Sequence, residues 1–247
     1  MKKAKKFVCF LLSIIMILSM SITAFSSEVQ PLADSTVGTL TIFASNDGGS
    51  SSWNTSGHAF IAFKNSSSSS VIVGGLNVGS GHEITIGTWG NKSQHTGIWY
   101  NLESYFVNND SAYGNRVSLS MSVTQSDIDT INSIISNNDT WSVTNNCSSF
   151  AVKVWNSVSS NTLSAGSPNT PTSLMSSIKS KSGYQTGRSI GNTTPIGYVS
   201  NGSFVTVTMT SAANFSKTND TAIMNTTTDN AEFITPIDMN PYSYTAE

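Results

Sequence analysis

His58 to Phe63 reads His-Ala-Phe-Ile-Ala-Phe, an unbroken apolar run behind one histidine. A strand packed on one face alternates apolar and polar residues. A continuous run is the mark of a strand buried on both faces. The segments around it are also strand-like. Thr39 to Ala44 (TLTIFA) precedes it, across a Gly/Ser loop from Gly48 to Gly57. After a polar turn at Asn65 to Ser70, Val71 to Val73 starts a partner strand, and a hairpin with the apolar run is expected. Glu83 to Trp89 (EITIGTW) alternates as a third strand, and Gly97 to Tyr100 gives a fourth. Val117, Leu119, Met121 and Val123 alternate with serines, as a half-buried strand does.

The period then changes. Thr124-Gln-Ser-Asp127 resembles a capping box with Asp in place of Glu, and Ile128, Ile131, Ile134 and Ile135 follow at helical spacing. Cys147, Phe150, Ala151, Val154, Trp155 and Val158 fall on one helix face. Thr170-Pro171 suits an N-cap and first helical residue, ahead of Leu174, Met175 and Ile178. Asn201-Gly202 between two β-prone runs, Gly197 to Val207, predicts a type I′ hairpin. The fold class is α+β: an antiparallel sheet, most of its strands preceding the cysteine helix that packs against it.

The ends have a separate purpose. Lys2, Lys3, Lys5 and Lys6, the apolar stretch Phe7 to Met20, and Ala24-Phe25-Ser26 make residues 1–26 a secretory signal. The apolar stretch falls short of the roughly 20 residues of a membrane helix, so no stable span is expected after cleavage. Residues 27–37 read as a leader, 38–210 as the folded domain and 211–247 as a polar C-terminal tail. The chain is expected to be secreted. Its formal charge of −2 drops to about −6 once the four signal lysines leave. That excludes nucleic acid, which selects a basic surface, and disfavours anionic lipid surfaces.

Cys9 leaves with the signal, so Cys147 has no internal disulfide partner in the mature chain. A buried cysteine is often only a small hydrophobe, and a disulfide-linked dimer is a further reading. Position argues for chemistry. Cys147 follows the polar turn Thr144-Asn145-Asn146 and opens an amphipathic helix. The positive end of a helix dipole lowers a thiol pKa, and the backbone N–H groups there can hold a developing oxyanion.

A thiolate nucleophile takes histidine as its usual base. The chain has three, His58, His82 and His95, and all precede Cys147. His58 is the best placed, because a strand's first residue can project from the sheet end towards a facing helix N-terminus. His82 lies in a glycine loop, and His95 precedes a shorter, more polar strand. No phosphate-binding glycine loop, serine elbow or paired metal-ligand spacing is present, so no cofactor or metal is expected. Trp53, Trp89, Trp99, Trp141 and Trp155 suggest a carbohydrate platform, but aromatic residues mostly pack.

Gly57-His58-Ala59-Phe60-Ile61 and Asn146-Cys147-Ser148-Ser149-Phe150-Ala151 together resemble the two signatures of circularly permuted papain-like cysteine hydrolases. These belong to the NlpC/P60 superfamily, in the branch that includes lecithin retinol acyltransferase-like proteins. The resemblance covers roughly residues 55–160. It implies a permuted papain-like sheet packed against a nucleophile-bearing helix, with Cys147 as nucleophile and His58 as general base. It also implies a third polar residue on the strand after the histidine strand. Val71 to Leu76 offers none. Asn77 is one choice to orient the imidazole and His82 is another, with Asn91 and His95 open if the sheet order differs. The implied activity is an exported thiol hydrolase acting on a peptide or cell-wall stem peptide, or on a lipid ester by hydrolysis or acyl transfer. A non-catalytic surface module on the same scaffold is the alternative.

Overall fold

In the computed structural model the His58 run becomes β2 (His58–Asn65), between β1 (Thr36–Ser45) and β5 (Glu83–Trp89). The structure describes residues 34–47, 57–90, 92, 94–191, 193, 195–209 and 232–234. The expected signal, most of the leader, Trp53, Asn91 and most of the expected tail lie outside them. The remaining strands are β3 (Val71–Val73), β4 (Leu76–Val78), β6 (Gly97–Tyr100), β7 (Val117–Thr124), β8 (Gln185–Thr186), β9 (Gly197–Ser200), β10 (Ser203–Met209) and β11 (Glu232–Ile234). The helices among the described residues are α1 (Leu102–Asn109), α2 (Gln125–Ser136), α3 (Cys147–Val158) and α4 (Pro171–Lys179). None of them is long and apolar enough to cross a membrane.

The architecture is mixed α+β around a nine-stranded sheet of order β11-β10-β9-β6-β5-β2-β1-β7-β8. Neighbours are antiparallel except β10 and β11, which run parallel. Side chains of β2 alternate between two cores. Ala59, Ile61 and Phe63 face a layer built by α2, α3 and α4, with Ile128, Ile131, Phe150, Val154, Leu174 and Ile178. Phe60 and Ala62 face Trp89, Trp99, Tyr113 and the Leu102 and Phe106 side chains of α1. Phe60 and Ile61 are both wholly buried, on opposite faces. Each is worth about 2 kcal/mol of burial, so the run is explained by packing on both sides.

Local chemistry sets the helix starts. Thr124 and Asp127 form a reciprocal capping box on α2. Thr170 caps α4 through the Ser173 amide, with Pro171 in the first turn. Asn201 and Gly202 both take positive φ (50° and 75°) between β9 and β10, the pattern of a type I′ turn.

Four elements differ from the sequence expectation. Val71 to Val73 does not pair with β2; it forms a separate two-stranded sheet with β4. The reason is Gly74-Gly75, both at positive φ (58° and 91°), which closes a tight hairpin within that segment. The Asn65 side chain also turns the chain off the end of β2, donating to the carbonyls of Ser69 and Val78. Helix α1 has no counterpart in the sequence reading. Strand β8 covers the edge of β7 at Ser118, which is buried although its fellow serines on β7 are exposed. Strand β11 falls within the span read as a polar tail.

Candidate active site

Three side chains from three elements meet at one end of β2. His58 is placed by its strand and by the glycine before it. Gly57 has φ +68°, and a Cβ there would sit 2.2 Å from the Ser45 carbonyl oxygen. Only glycine fits this close, left-handed approach, so the Gly-His pair has a backbone cause. Ser45 faces His58 across β1 and β2.

Cys147 is the first residue of α3. Asn146 caps the helix by accepting from the Ser148 and Ser149 amides at 3.1 Å each. Its amide donates in turn to the Val143 and Asn169 carbonyls, at 3.2 and 2.9 Å. Asn146 therefore pins both the loop ahead of the helix and the first turn that carries the sulfur. No acidic side chain lies in that turn to offset the helix dipole.

Glu103 is the third member. It sits in the first turn of α1, wholly buried. Asn101 fixes where α1 begins. It adopts φ 63°, accepts from the Thr85 amide of β5, and donates to the Pro195 carbonyl. Glu103 Oε1 lies 3.0 Å from His58 Nε2 and accepts from Trp89 Nε1 at 2.9 Å. The indole of Trp89 packs against the imidazole, ring centroids 4.3 Å apart. Gly87 of β5 provides the room: a Cβ there would lie 2.0 Å from Glu103 Oε1 and 3.0 Å from His58 Nε2. Lys92, also buried, holds its ammonium 4.7 Å over the Trp89 ring, a second cation on the indole that donates to Glu103.

With Nε2 engaged by Glu103, the other imidazole nitrogen, Nδ1, has no nitrogen or oxygen partner among the described residues. Cys147 also acts on His58, through a side-chain hydrogen bond and through charge. Burial alone would strip the imidazole of its proton. The Cys147 thiolate, and then Glu103, outweigh that penalty and raise the His58 pKa from 6.5 to about 9. The charged ring of His58 is thereby favoured beside Cys147, as in a thiolate–imidazolium pair. Such a pair supplies a nucleophile and an acid in adjacent positions.

His58 and Cys147 are thus brought together, and both are wholly buried. The other sequence candidates are not part of this group. Asn77 is exposed on β4, in the separate hairpin, and His82 is exposed in the loop before β5. Their places as orienters of the imidazole are taken by Glu103. His95 makes its own pair with Asp139 (Nε2–Oδ1, 2.7 Å) and stacks on Tyr198 at 4.7 Å. Trp89, Trp99 and Trp155 are buried, so they pack rather than form a surface platform. The open cleft beside Gly74, Tyr100, Asn132 and Asp139 is lined by neither Cys147 nor His58.

Glu103, Gly87 and Lys92 escaped sequence reasoning. One signal was present: Leu102, Tyr105 and Phe106 at helical spacing, with Glu103 among them in a chain poor in charge. No protein-family model, curated protein or solved structure matches the chain.

Proposed function

We propose that the protein is an exported thiol hydrolase that cleaves an amide, in a peptide or a cell-wall stem peptide. The observation that carries this reading is His58 held between Cys147 and the buried carboxylate of Glu103. The Cys147 thiolate attacks the carbonyl carbon. The imidazolium of His58 then gives its proton to the leaving nitrogen as the C–N bond breaks. A water, deprotonated by the now neutral His58, hydrolyses the thioester. Glu103 orients the imidazole through Nε2 and stabilises the charged ring. The Cys147 backbone N–H, at the head of α3, contributes to holding the oxyanion.

The permuted papain-like assignment is part of the same proposal. Three features support it: a histidine that opens a core strand, a later cysteine that opens a helix, and an antiparallel sheet behind both. The orienting residue departs from the resemblance, since it comes from helix α1 rather than from the strand after the histidine strand. The sequence grounds for a non-catalytic module are the lack of an orienter and the polar, aromatic surface, and Glu103 answers the first of them. Complete burial of Cys147 is the one observation that favours such a module as a second reading.

Alkylation by iodoacetamide across a pH series tests the site. The expected result is rapid modification of Cys147 already near pH 6, and slower modification in His58→Ala. A rate that follows an ordinary thiol, with pKa about 8.5, refutes the hydrolase. Substrate class is tested with a peptide library and with cell-wall sacculi, products read by mass spectrometry against a Cys147→Ala control. Cleavage by both proteins alike, or by neither, counts against the amide assignment.

A further inference from the structure

Tyr113 is the residue at this site whose cost the three side chains above do not explain. It is wholly buried, with its ring 5.6 Å from the His58 ring and 5.9 Å from Phe60. Its φ is +58°, a conformation that a bulky side chain rarely adopts. Its hydroxyl is buried with no hydrogen-bond partner among the described residues. Buried polar groups are satisfied in the great majority of cases, so an orphan donor calls for a reason. Two unfavourable features thus coincide on one residue that touches the catalytic imidazole. Backbone strain of this kind concentrates where a side chain must be held for function.

The charge around the hydroxyl says what it is suited to do. Burial first, then the negative charges of Glu103 and Cys147, push its pKa well above the usual 10. It stays a protonated donor at any working pH. In the resting site it has nothing to donate to. During acyl transfer, negative charge moves from sulfur to the former carbonyl oxygen, and a donor placed beforehand gains a partner only then.

Resting on the hydrolase reading, we propose that Tyr113 is a further catalytic residue, whose phenolic O–H donates to the oxyanion formed when Cys147 attacks a carbonyl. The sulfur–carbon bond forms, and the carbonyl π pair moves onto oxygen, where Tyr113 meets it. When that pair returns, the carbon–leaving-group bond breaks and its electrons depart with the leaving group.

Two reagents of different chemistry test this on the purified full chain. p-Nitrophenyl acetate acetylates Cys147 through a tetrahedral oxyanion and releases p-nitrophenolate. Iodoacetamide alkylates the same thiolate by displacement at a saturated carbon, with no oxyanion. Tyr113→Phe is expected to slow the first-turnover release of p-nitrophenolate by about 100-fold. It is expected to leave the alkylation rate within twofold, and the melting temperature no lower, since no resting hydrogen bond is lost. Acetylation within threefold of wild type overturns the proposal. So does equal slowing of both reactions, which assigns the hydroxyl to the thiolate, and so does a large drop in melting temperature, which assigns it to the fold. A wild-type Cys147 that alkylates as an ordinary thiol is a different failure. It removes the hydrolase reading first and Tyr113 with it.

Discussion

Replacing Gly87 by alanine should disable the site from a position that carries no chemistry. The new Cβ would lie 2.0 Å from Glu103 Oε1 and 2.9 Å from its Cδ. Carbon and oxygen do not approach below about 3 Å, so the carboxylate must retreat by about 1 Å or more. That stretches its 3.0 Å bond to His58 and its 2.9 Å bond from Trp89 beyond hydrogen-bonding range. Overpacking costs about 1–3 kcal/mol, and each lost bond to a buried charge about 1.5–3 kcal/mol. Alanine returns about 0.4–1 kcal/mol by restricting the unfolded chain. The net expectation is a loss of about 3–9 kcal/mol, read by urea unfolding followed by circular dichroism. The alkylation rate of Cys147 near pH 6 should fall about tenfold with it, roughly one pKa unit of lost support for the ion pair. A Gly87→Ala, Glu103→Gln double variant should cost little more than the worse single change, because both act on one carboxylate. A stability loss below about 1 kcal/mol with an unchanged alkylation profile would falsify the steric reasoning. Additive losses would also count against it.

Glu103→Gln keeps the shape and removes the charge, so Cys147 alkylation near pH 6 should slow about tenfold; an unchanged rate excludes Glu103 as the positioning residue. The His58 ring should titrate near pH 9 by NMR instead of near 6.5. Because its folded pKa is the higher one, the stability it contributes is complete below about pH 6.5 and disappears as pH rises through about 9. An NMR midpoint near 6.5 contradicts the ion pair. Asn146→Ala should cost about 1–2 kcal/mol in urea unfolding and slow alkylation as well, since the first turn of α3 loosens. Thr124→Ala removes a cap of similar strength, about 1 kcal/mol, from α2, and should leave alkylation unchanged. If the two caps affect the thiol alike, the local role of Asn146 is wrong.

Much of the frame could be read from sequence because its signals are local. The two-sided burial of β2 is stated by an apolar run, α2 by its capping box, α3 by a single apolar face, and the β9–β10 turn by Asn-Gly. The juxtaposition of His58 and Cys147 was also legible, as a strand start and a helix start with complementary chemistry. The rest depends on distant contacts. Helix α1 is short, and its N-cap Asn101 makes no side-chain cap bond. Asn101 is spent instead on Thr85 and Pro195, partners far along the chain. Glu103 inherits that invisibility, and so does Gly87, whose need for no side chain exists only once α1 lies on β5. The β3–β4 hairpin is a different error. Gly74-Gly75 is a local turn signal of the same kind as Asn201-Gly202, and reading it would have separated that hairpin from β2.

His58 and Glu103 belong to the α1 side of the sheet, whereas Cys147 belongs to the layer of α2, α3 and α4. His58 and Cys147 meet over the sheet's end, between two cores that share the strands of one sheet. Opening either layer is expected to part the histidine from the cysteine, so thiol reactivity reports on the integrity of both faces of the sheet.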